Sequence, residues 1–70
     1  MERTEVNSSS IAEIGYEATT RTLEIAFNNG RIYQYLDIPV SLSEAFRACD
    51  SKGRFFNQNI RDLYSYVRVK

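Results

Sequence analysis

The stretch LEIAFNNGRIYQYL, residues 23–36, decides the fold of this chain. Large side chains recur at every second position on both sides of an Asn-Asn-Gly turn. Asparagine and glycine enter positive φ at low cost, so the pattern predicts a β-hairpin. It also places Tyr33 and Tyr35 on one face of the second strand. Whether that face looks into the core or out to solvent decides whether the two rings are available to a ligand.

Two loop lengths are compatible with this hairpin, and they turn the two tyrosines to opposite faces. A two-residue Asn-Gly loop leaves both rings on the face that carries Glu24. A three-residue Asn-Asn-Gly loop, with Gly30 in a G1 bulge, pairs Ile25 with Tyr33 instead. We favour the three-residue loop, because glycine in third place suits left-handed geometry and the resulting face is more apolar. The tyrosines then belong to the core, with their hydroxyls at its rim.

The flanking residues extend the hairpin to an α+β fold with a three-stranded antiparallel meander. The predicted strands are Ile11–Ala18, Thr22–Phe27 and Arg31–Leu36. Within the first strand, Ala12, Ile14, Tyr16 and Ala18 would share a face, and Gly15 indicates a bulge or a close backbone approach. The length predicts one domain, residues 1–70, in which residues 1–7 are loosely ordered.

Two short helices are predicted to follow the meander and to pack on one of its faces. Ser41 and Glu44 have the spacing of a capping box, so the first helix starts at Ser41 and continues through Ala48. Its predicted core side carries Leu42, Ala45, Phe46 and Cys49. A second helix, capped by Ser51, has a core side of Lys52, Phe56, Ile60 and Leu63. Residues 64–69 are compatible with an extended tail or with a short fourth strand.

The composition argues against an enzyme. The chain has no histidine and a single cysteine, so the commonest general base is missing and neither a disulfide nor a zinc site is expected. No glycine-rich phosphate loop is present, and no cofactor or metal is predicted. No apolar run has membrane-spanning length, and one unpaired cysteine fits a reducing compartment, so a cytoplasmic protein without a membrane partner is expected.

The charges are unevenly distributed although the net charge is zero. Through residue 50 the chain has eight acidic and four basic residues, whereas the last twenty residues have five bases and one acid. A basic segment of this kind is compatible with an anionic partner and also with an ordinary solvated surface.

The second helix is the candidate binding site. Its first turn combines free backbone N–H groups with Lys52 and Arg54, so Ser51 and Gly53 mark a candidate anion site. Arg54, Asn57, Gln58 and Arg61 follow helical spacing and form one polar stripe. The alternative is structural: Ser51 caps the helix, Gly53 permits close packing, and the stripe is solvated or tied to the hairpin.

The chain resembles the KTSC domain family, named after a segment at the C-terminus of some lysyl-tRNA synthetases and found also as free-standing bacterial proteins. The matching residues lie between Val6 and Tyr64. They are Ser8-Ser9, Gly15-Tyr16, Leu23-x-Ile25-x-Phe27-x-x-Gly30-x-x-Tyr33-x-Tyr35, Ile38-Pro39 and Ser51-x-Gly53-x-x-Phe56-Asn57-x-x-Ile60-Arg61. The resemblance implies a small α+β domain of unknown function, for which the attachment to a synthetase suggests RNA binding.

Two functions are therefore compatible with the sequence. The first is a small non-catalytic RNA-binding module. It would use Lys52, Arg54, Asn57, Arg61, Arg68 and Lys70, with Tyr33 or Tyr35 stacking on bases if their rings are exposed. The second is a protein-interaction or dimerisation module that uses an exposed sheet face or edge.

Overall fold

The computed structural model describes all 70 residues and contains a five-stranded antiparallel sheet and two helices. In chain order the elements are β1 (Thr4–Glu5), β2 (Ile11–Glu17), β3 (Thr22–Phe27), β4 (Ile32–Tyr35), α1 (Val40–Ala48), α2 (Lys52–Asn59) and β5 (Tyr66–Arg68). The strands lie in the sheet in the order β1-β2-β3-β4-β5. The predicted α+β class and the central meander are confirmed. Neither helix is long and apolar enough to cross a membrane.

The hairpin between β3 and β4 has the three-residue loop. Leu23 lies opposite Tyr35 and Ile25 opposite Tyr33. Gly30 has a φ of +91°, and the Phe27 N–H donates to the Arg31 carbonyl at 2.8 Å. A side chain at the loop's third position would be strained at this φ, so the glycine fixes the register. The predicted three-residue loop is confirmed.

The core lies between the sheet and the two helices. From the sheet it takes Leu23, Ile25 and Tyr35, and Tyr35 is only 3% exposed. Phe46 of α1 and Phe56 of α2 pack onto them. The remaining core residues are Ile11, Ile14, Ile38 and Ile60. The opposite face of the sheet, which we call the outer face, carries Glu24 and Gln34 opposite each other.

A β-bulge changes the alternation of β2. The register shifts between Ile11 and Glu13, so Ala12 is an extra residue and both Ile11 and Ile14 are buried. The strand ends at Glu17, and Ala18, predicted on the core face, lies instead in the following turn and is exposed. The close backbone approach predicted at Gly15 is confirmed, since an added Cβ would lie 2.3 Å from the Glu2 carbonyl oxygen.

The predicted capping box of α1 is wrong. The helix begins at Val40 with Pro39 as its N-cap, two residues before the predicted cap Ser41, and it has no side-chain cap. The Pro39 carbonyl accepts from the N–H groups of Leu42 and Ser43 at 3.0 and 3.1 Å, and these bonds close the first turn of the helix. Ser43 is therefore buried and its hydroxyl donates to the Val40 carbonyl at 2.7 Å, whereas Ala45, predicted in the core, is exposed.

The second helix begins as predicted and ends earlier than its apolar spacing indicates. The Ser51 hydroxyl accepts from the Arg54 N–H at 3.4 Å, so Ser51 is the N-cap. Ile60 is buried at the C-cap, but Leu63 is 65% exposed because the helix has already ended. The C-terminal segment, left open between tail and strand, forms β5 against β4.

The N-terminal segment, for which the sequence predicts loose order, includes β1, which pairs with β2. From it Arg3 crosses the outer face and donates to Glu13 at 2.8 Å and to Glu24 at 2.6 Å. Gln34 also donates to Glu24, at 2.8 Å. Burial acts to raise the pKa of Glu24, but the hydrogen bonds from Gln34 and Arg3 outweigh it, and the net pKa lies below the ordinary value.

Acidification is expected to destabilise the fold through Glu24. The pKa of Glu24 is lower in the folded state than in the unfolded chain, so on acidification the unfolded chain takes up this proton first. The free energy of unfolding therefore decreases as the pH falls below about 4.5 and through the folded-state pKa. Glu24→Gln removes this contribution and costs about 1–2 kcal/mol at pH 7. Urea unfolding at pH 7 and pH 3 measures both effects. Glu44→Gln, at an exposed position on α1, serves as the control and should leave the pH dependence unchanged.

Candidate functional site

Two adjoining clefts lie where the hairpin, the Ser8–Ser10 segment and α2 meet. The first, here the serine cleft, is an open polar depression of about 650 Å³ between the Ser8–Ser10 segment and the start of α2. The second, here the aromatic cleft, has about 310 Å³ and lies between the hairpin and α2. Ser10, Gly53 and Asn57 line both clefts, so the two form one continuous surface.

The serine cleft is held in shape by hydrogen bonds of its own residues. The Ser8 hydroxyl accepts from the N–H groups of Ser10 and Ile11, both at 3.3 Å. Asn28 of the hairpin loop donates its side-chain amide to the Ser8 carbonyl at 3.1 Å and its N–H to the Ser10 carbonyl at 2.9 Å. This wall of the cleft is therefore positioned by the hairpin loop.

The two residues predicted to mark an anion site both have structural contacts here. Ser51 caps α2 through the Arg54 N–H. A Cβ added at Gly53 would lie 3.0 Å from the Ser10 hydroxyl, so glycine allows α2 to approach the Ser8–Ser10 segment closely. Both residues line the serine cleft, together with Lys52, Arg54, Asn57 and Gln58.

Aromatic rings form the floor of the aromatic cleft. Phe56 meets Phe27 and Tyr35 edge-on, with ring centroids 5.5 and 5.4 Å apart. Tyr33 is half-buried and lies edge-on to Phe27 at 5.6 Å. On its other side Tyr33 stacks on Tyr66 of β5, with centroids 5.2 Å apart and planes at 11°. Tyr66 is 55% exposed, so this stack ends in an accessible ring.

Tyr35 has a different environment from Tyr33. Burial, reinforced by the neighbouring hydroxyls of Tyr66 and Tyr33, raises the pKa of Tyr35 to about 12. A phenol in this environment stays neutral under physiological conditions. Its ring is enclosed by the core and is not accessible to a base, so of the two tyrosines predicted for stacking only Tyr33 borders the surface.

The structure places the predicted basic residues in three settings. Arg61 is exposed beside the aromatic rings and donates to the Asn57 side chain at 3.4 Å, and Arg54 is exposed at the serine cleft. Arg68 lies opposite Tyr33 in the sheet and is exposed. Lys52 is engaged at the end of α1, where its ammonium donates to the carbonyls of Cys49 at 2.6 Å and Arg47 at 3.2 Å.

Two residues of this surface were missed by sequence reasoning. Arg31 lines the aromatic cleft on the side opposite Arg61, and Tyr66 completes the ring stack. The three-residue loop already places Arg31 opposite Phe27, so the register contains the signal for it. No comparable signal exists for Tyr66, because its contact with Tyr33 requires β5 to pair with β4.

The model of the KTSC domain family matches residues 7–66. The chain belongs to the KTSC domain family. A crystal structure of a KTSC domain protein from Yersinia pestis matches with a TM-score of 0.93 and 38% identity, over 99% of this chain and 97% of that one.

Related KTSC domains occur in proteins of very different length. A protein of Stutzerimonas stutzeri named as uncharacterized is 36% identical over 99% of both chains. A lysine–tRNA ligase of Trichormus variabilis is 36% identical over 61 residues, which are 87% of this chain and 11% of the ligase. The chain therefore spans about a tenth of the length of that ligase. No cluster of three or more His, Cys, Asp or Glu side chains could hold a metal ion in this KTSC domain.

Proposed function

We propose that this KTSC domain binds single-stranded RNA across the aromatic cleft. The observation that carries the proposal is the stack of Tyr33 on the exposed Tyr66 ring, next to a cleft that Tyr33 lines together with the exposed Arg31 and Arg61. Proteins that bind single strands combine rings for base stacking with cations that follow the phosphates. The sequence predicts Arg54, Arg61, Arg68 and Tyr33 for this surface, and the fold adds Arg31 and the second ring, Tyr66.

The positions of the cations support this proposal. Arg31 and Arg61 line the aromatic cleft, and Arg68 lies beside the ring stack on β5. Arg54 extends the positive charge along α2 into the serine cleft. A strand whose base stacks on Tyr66 would have its flanking phosphates within reach of these guanidinium groups. Lys52 is left out of the proposed interface, because its ammonium is bound to backbone carbonyls.

The ring stack favours unpaired bases, and the polar lining of the aromatic cleft favours ribose. Bases must be unpaired to stack on an aromatic side chain, and A-form duplexes keep their bases inside. Ser10, Asn29 and Asn57 line the aromatic cleft and supply hydroxyl and amide groups that a ribose 2′-hydroxyl can pair with. The lysine–tRNA ligase of Trichormus variabilis contains a related domain. The name of that protein refers to an RNA, which supports the proposal.

The salt dependence of binding tests the electrostatic part of the proposal. With about four arginine–phosphate contacts, the logarithm of the association constant should fall against the logarithm of salt concentration with a slope of about −3. Fluorescence anisotropy with a labelled uridine-rich 10-mer at several salt concentrations measures this slope. Arg61→Gln should weaken binding and reduce the slope by about 0.7, the contribution of one phosphate contact.

Arg47→Gln is the matched control, because Arg47 is exposed on α1 and lines neither cleft. It should leave both the affinity and the slope unchanged. A slope near zero, or equal losses in the two variants, would contradict binding at this surface. A DNA strand of the same sequence and an RNA duplex complete the experiment, and both should bind more weakly.

A further inference from the structure

The exposed apolar side chains of this domain are concentrated near its C-terminal strand. Six large apolar residues are exposed in the whole chain, and four of them lie between residues 63 and 69. They are Leu63, Tyr66, Val67 and Val69. Scattered exposed apolar residues are normal, whereas a local concentration beside an unpaired strand edge indicates a contact surface.

The outer edge of β5 has no partner strand. The Ile32 N–H donates to the Lys70 carbonyl at 3.0 Å, the Leu36 N–H donates to the Ser65 carbonyl at 2.9 Å, and the Ile32 carbonyl accepts from Val69 at 2.8 Å. Ser65 and Val69 therefore direct these backbone groups toward β4. Because the direction alternates along a strand, Tyr66 and Arg68 direct their N–H and C=O groups away from the sheet.

We propose that two copies of this domain associate by antiparallel pairing of their β5 strands around a two-fold axis at Val67. In this register the backbone of Tyr66 exchanges hydrogen bonds with the backbone of Arg68 in the second copy. By symmetry, the backbone of Arg68 exchanges hydrogen bonds with that of Tyr66 in the second copy. The four outward groups of each edge thereby find partners. Tyr66 and Arg68 belong to both proposed interfaces, but the pairing depends on their outward backbone groups and does not rest on RNA binding.

The side chains of β5 are self-complementary in this register. Tyr66 and Arg68 lie opposite Tyr35 and Tyr33 and so share the helix-covered face of the sheet. Pairing about Val67 sets the Tyr66 ring of one copy beside the Arg68 guanidinium of the other, a favourable cation–aromatic neighbour. On the outer face, the two Val67 side chains meet at the axis in a non-hydrogen-bonded pair, where Cα atoms are about 4.5 Å apart.

The charge of the chain permits two copies to associate, and the geometry of its sheet edges favours a symmetric β5–β5 contact over a head-to-tail contact of β5 with β1. The net charge of the chain is zero, so two copies do not repel each other as a whole. The other sheet edge, β1, has only two residues and carries Glu5 and the nearby Glu2, which makes it a short and acidic edge. A symmetric contact between two β5 edges leaves both β1 edges free and closes as a dimer.

Sedimentation equilibrium over about 10 µM to 1 mM, without RNA, tests the proposal in the range where small interfaces associate. The average mass should rise reversibly from that of one chain toward that of two. Val67→Lys places two like charges at the axis and should weaken association at least tenfold. Val40→Lys is the matched control, since Val40 on α1 is 44% exposed and Val67 is 46% exposed. It should associate like the unmodified protein.

A cross-link identifies the register. In a Cys49→Ser background, Val67→Cys should form interchain disulfides in mild oxidant much faster than Val40→Cys, because a Cα separation of about 4.5 Å can be bridged. A monomer throughout the concentration range would overturn the proposal, as would equal association of Val67→Lys and Val40→Lys. Equal cross-linking rates of the two cysteine variants would overturn the β5 register. The RNA titration uses a different readout, so the failure of either proposal is visible separately.

Discussion

Phe56→Ala is expected to lower the free energy of unfolding by about 3–5 kcal/mol, the usual cost of removing a buried phenylalanine ring. Phe56 is 7% exposed and is the ring through which α2 meets both strands of the hairpin, at Phe27 and Tyr35. A 70-residue domain has a total stability of about 4–10 kcal/mol. The substitution therefore removes a large part of it and loosens the wall of the aromatic cleft.

Urea unfolding followed by circular dichroism measures this loss. Phe56→Leu should cost less than Phe56→Ala, because it keeps most of the apolar volume. Leu63→Ala is the control on the same segment of chain, since Leu63 is 65% exposed, and it should change stability by about 0.5 kcal/mol at most. If Phe56→Ala and Leu63→Ala unfold at the same urea concentration, α2 is not held by Phe56.

Tyr66→Ala is expected to weaken binding of single-stranded RNA by about ten- to a hundredfold, since one base–aromatic stack contributes about 1–3 kcal/mol. The fold should survive, because Tyr66 is 55% exposed and lies in an edge strand. The affinity is measured by the anisotropy titration used for the arginine variants, and the fold by its urea midpoint.

Tyr66→Phe separates stacking from other contributions of this position. Phenylalanine keeps the ring that stacks on Tyr33 and loses only the hydroxyl, so binding should stay within about twofold of the unmodified protein. If Tyr66→Phe loses as much affinity as Tyr66→Ala, the hydroxyl and not the ring is responsible. Unchanged binding of Tyr66→Ala would remove the stack from the proposed interface.

The sequence predicts the elements with strong local signals and misses those set by distant contacts. The hairpin register follows from one glycine at the third loop position, and Ser51 caps α2 as its spacing indicates. By contrast, β1 has two residues, too few for a period-two pattern, and forms by pairing with β2. The extra residue at Ala12 also has no local signature, since it appears only when β2 is paired with β3.

The same distinction applies to the candidate site. Arg54, Asn57 and Arg61 could be placed together because they follow helical spacing on one short segment. The roles of Tyr35 and Tyr66 could not be assigned in that way, since one is buried and the other exposed although both are tyrosines in strands. Their difference depends on Phe56 of α2 covering Tyr35 at the end of β4 and on β5 lying at the edge of the sheet.

The most direct test of the account is a chemical-shift titration of the ¹⁵N-labelled domain with a uridine-rich 10-mer RNA. The proposed interface predicts saturable shifts concentrated at Arg31, Tyr33, Arg61 and Tyr66, with little change on α1. The complete absence of shifts at millimolar RNA, or shifts confined to α1 and the β1 edge, would contradict RNA binding across the aromatic cleft.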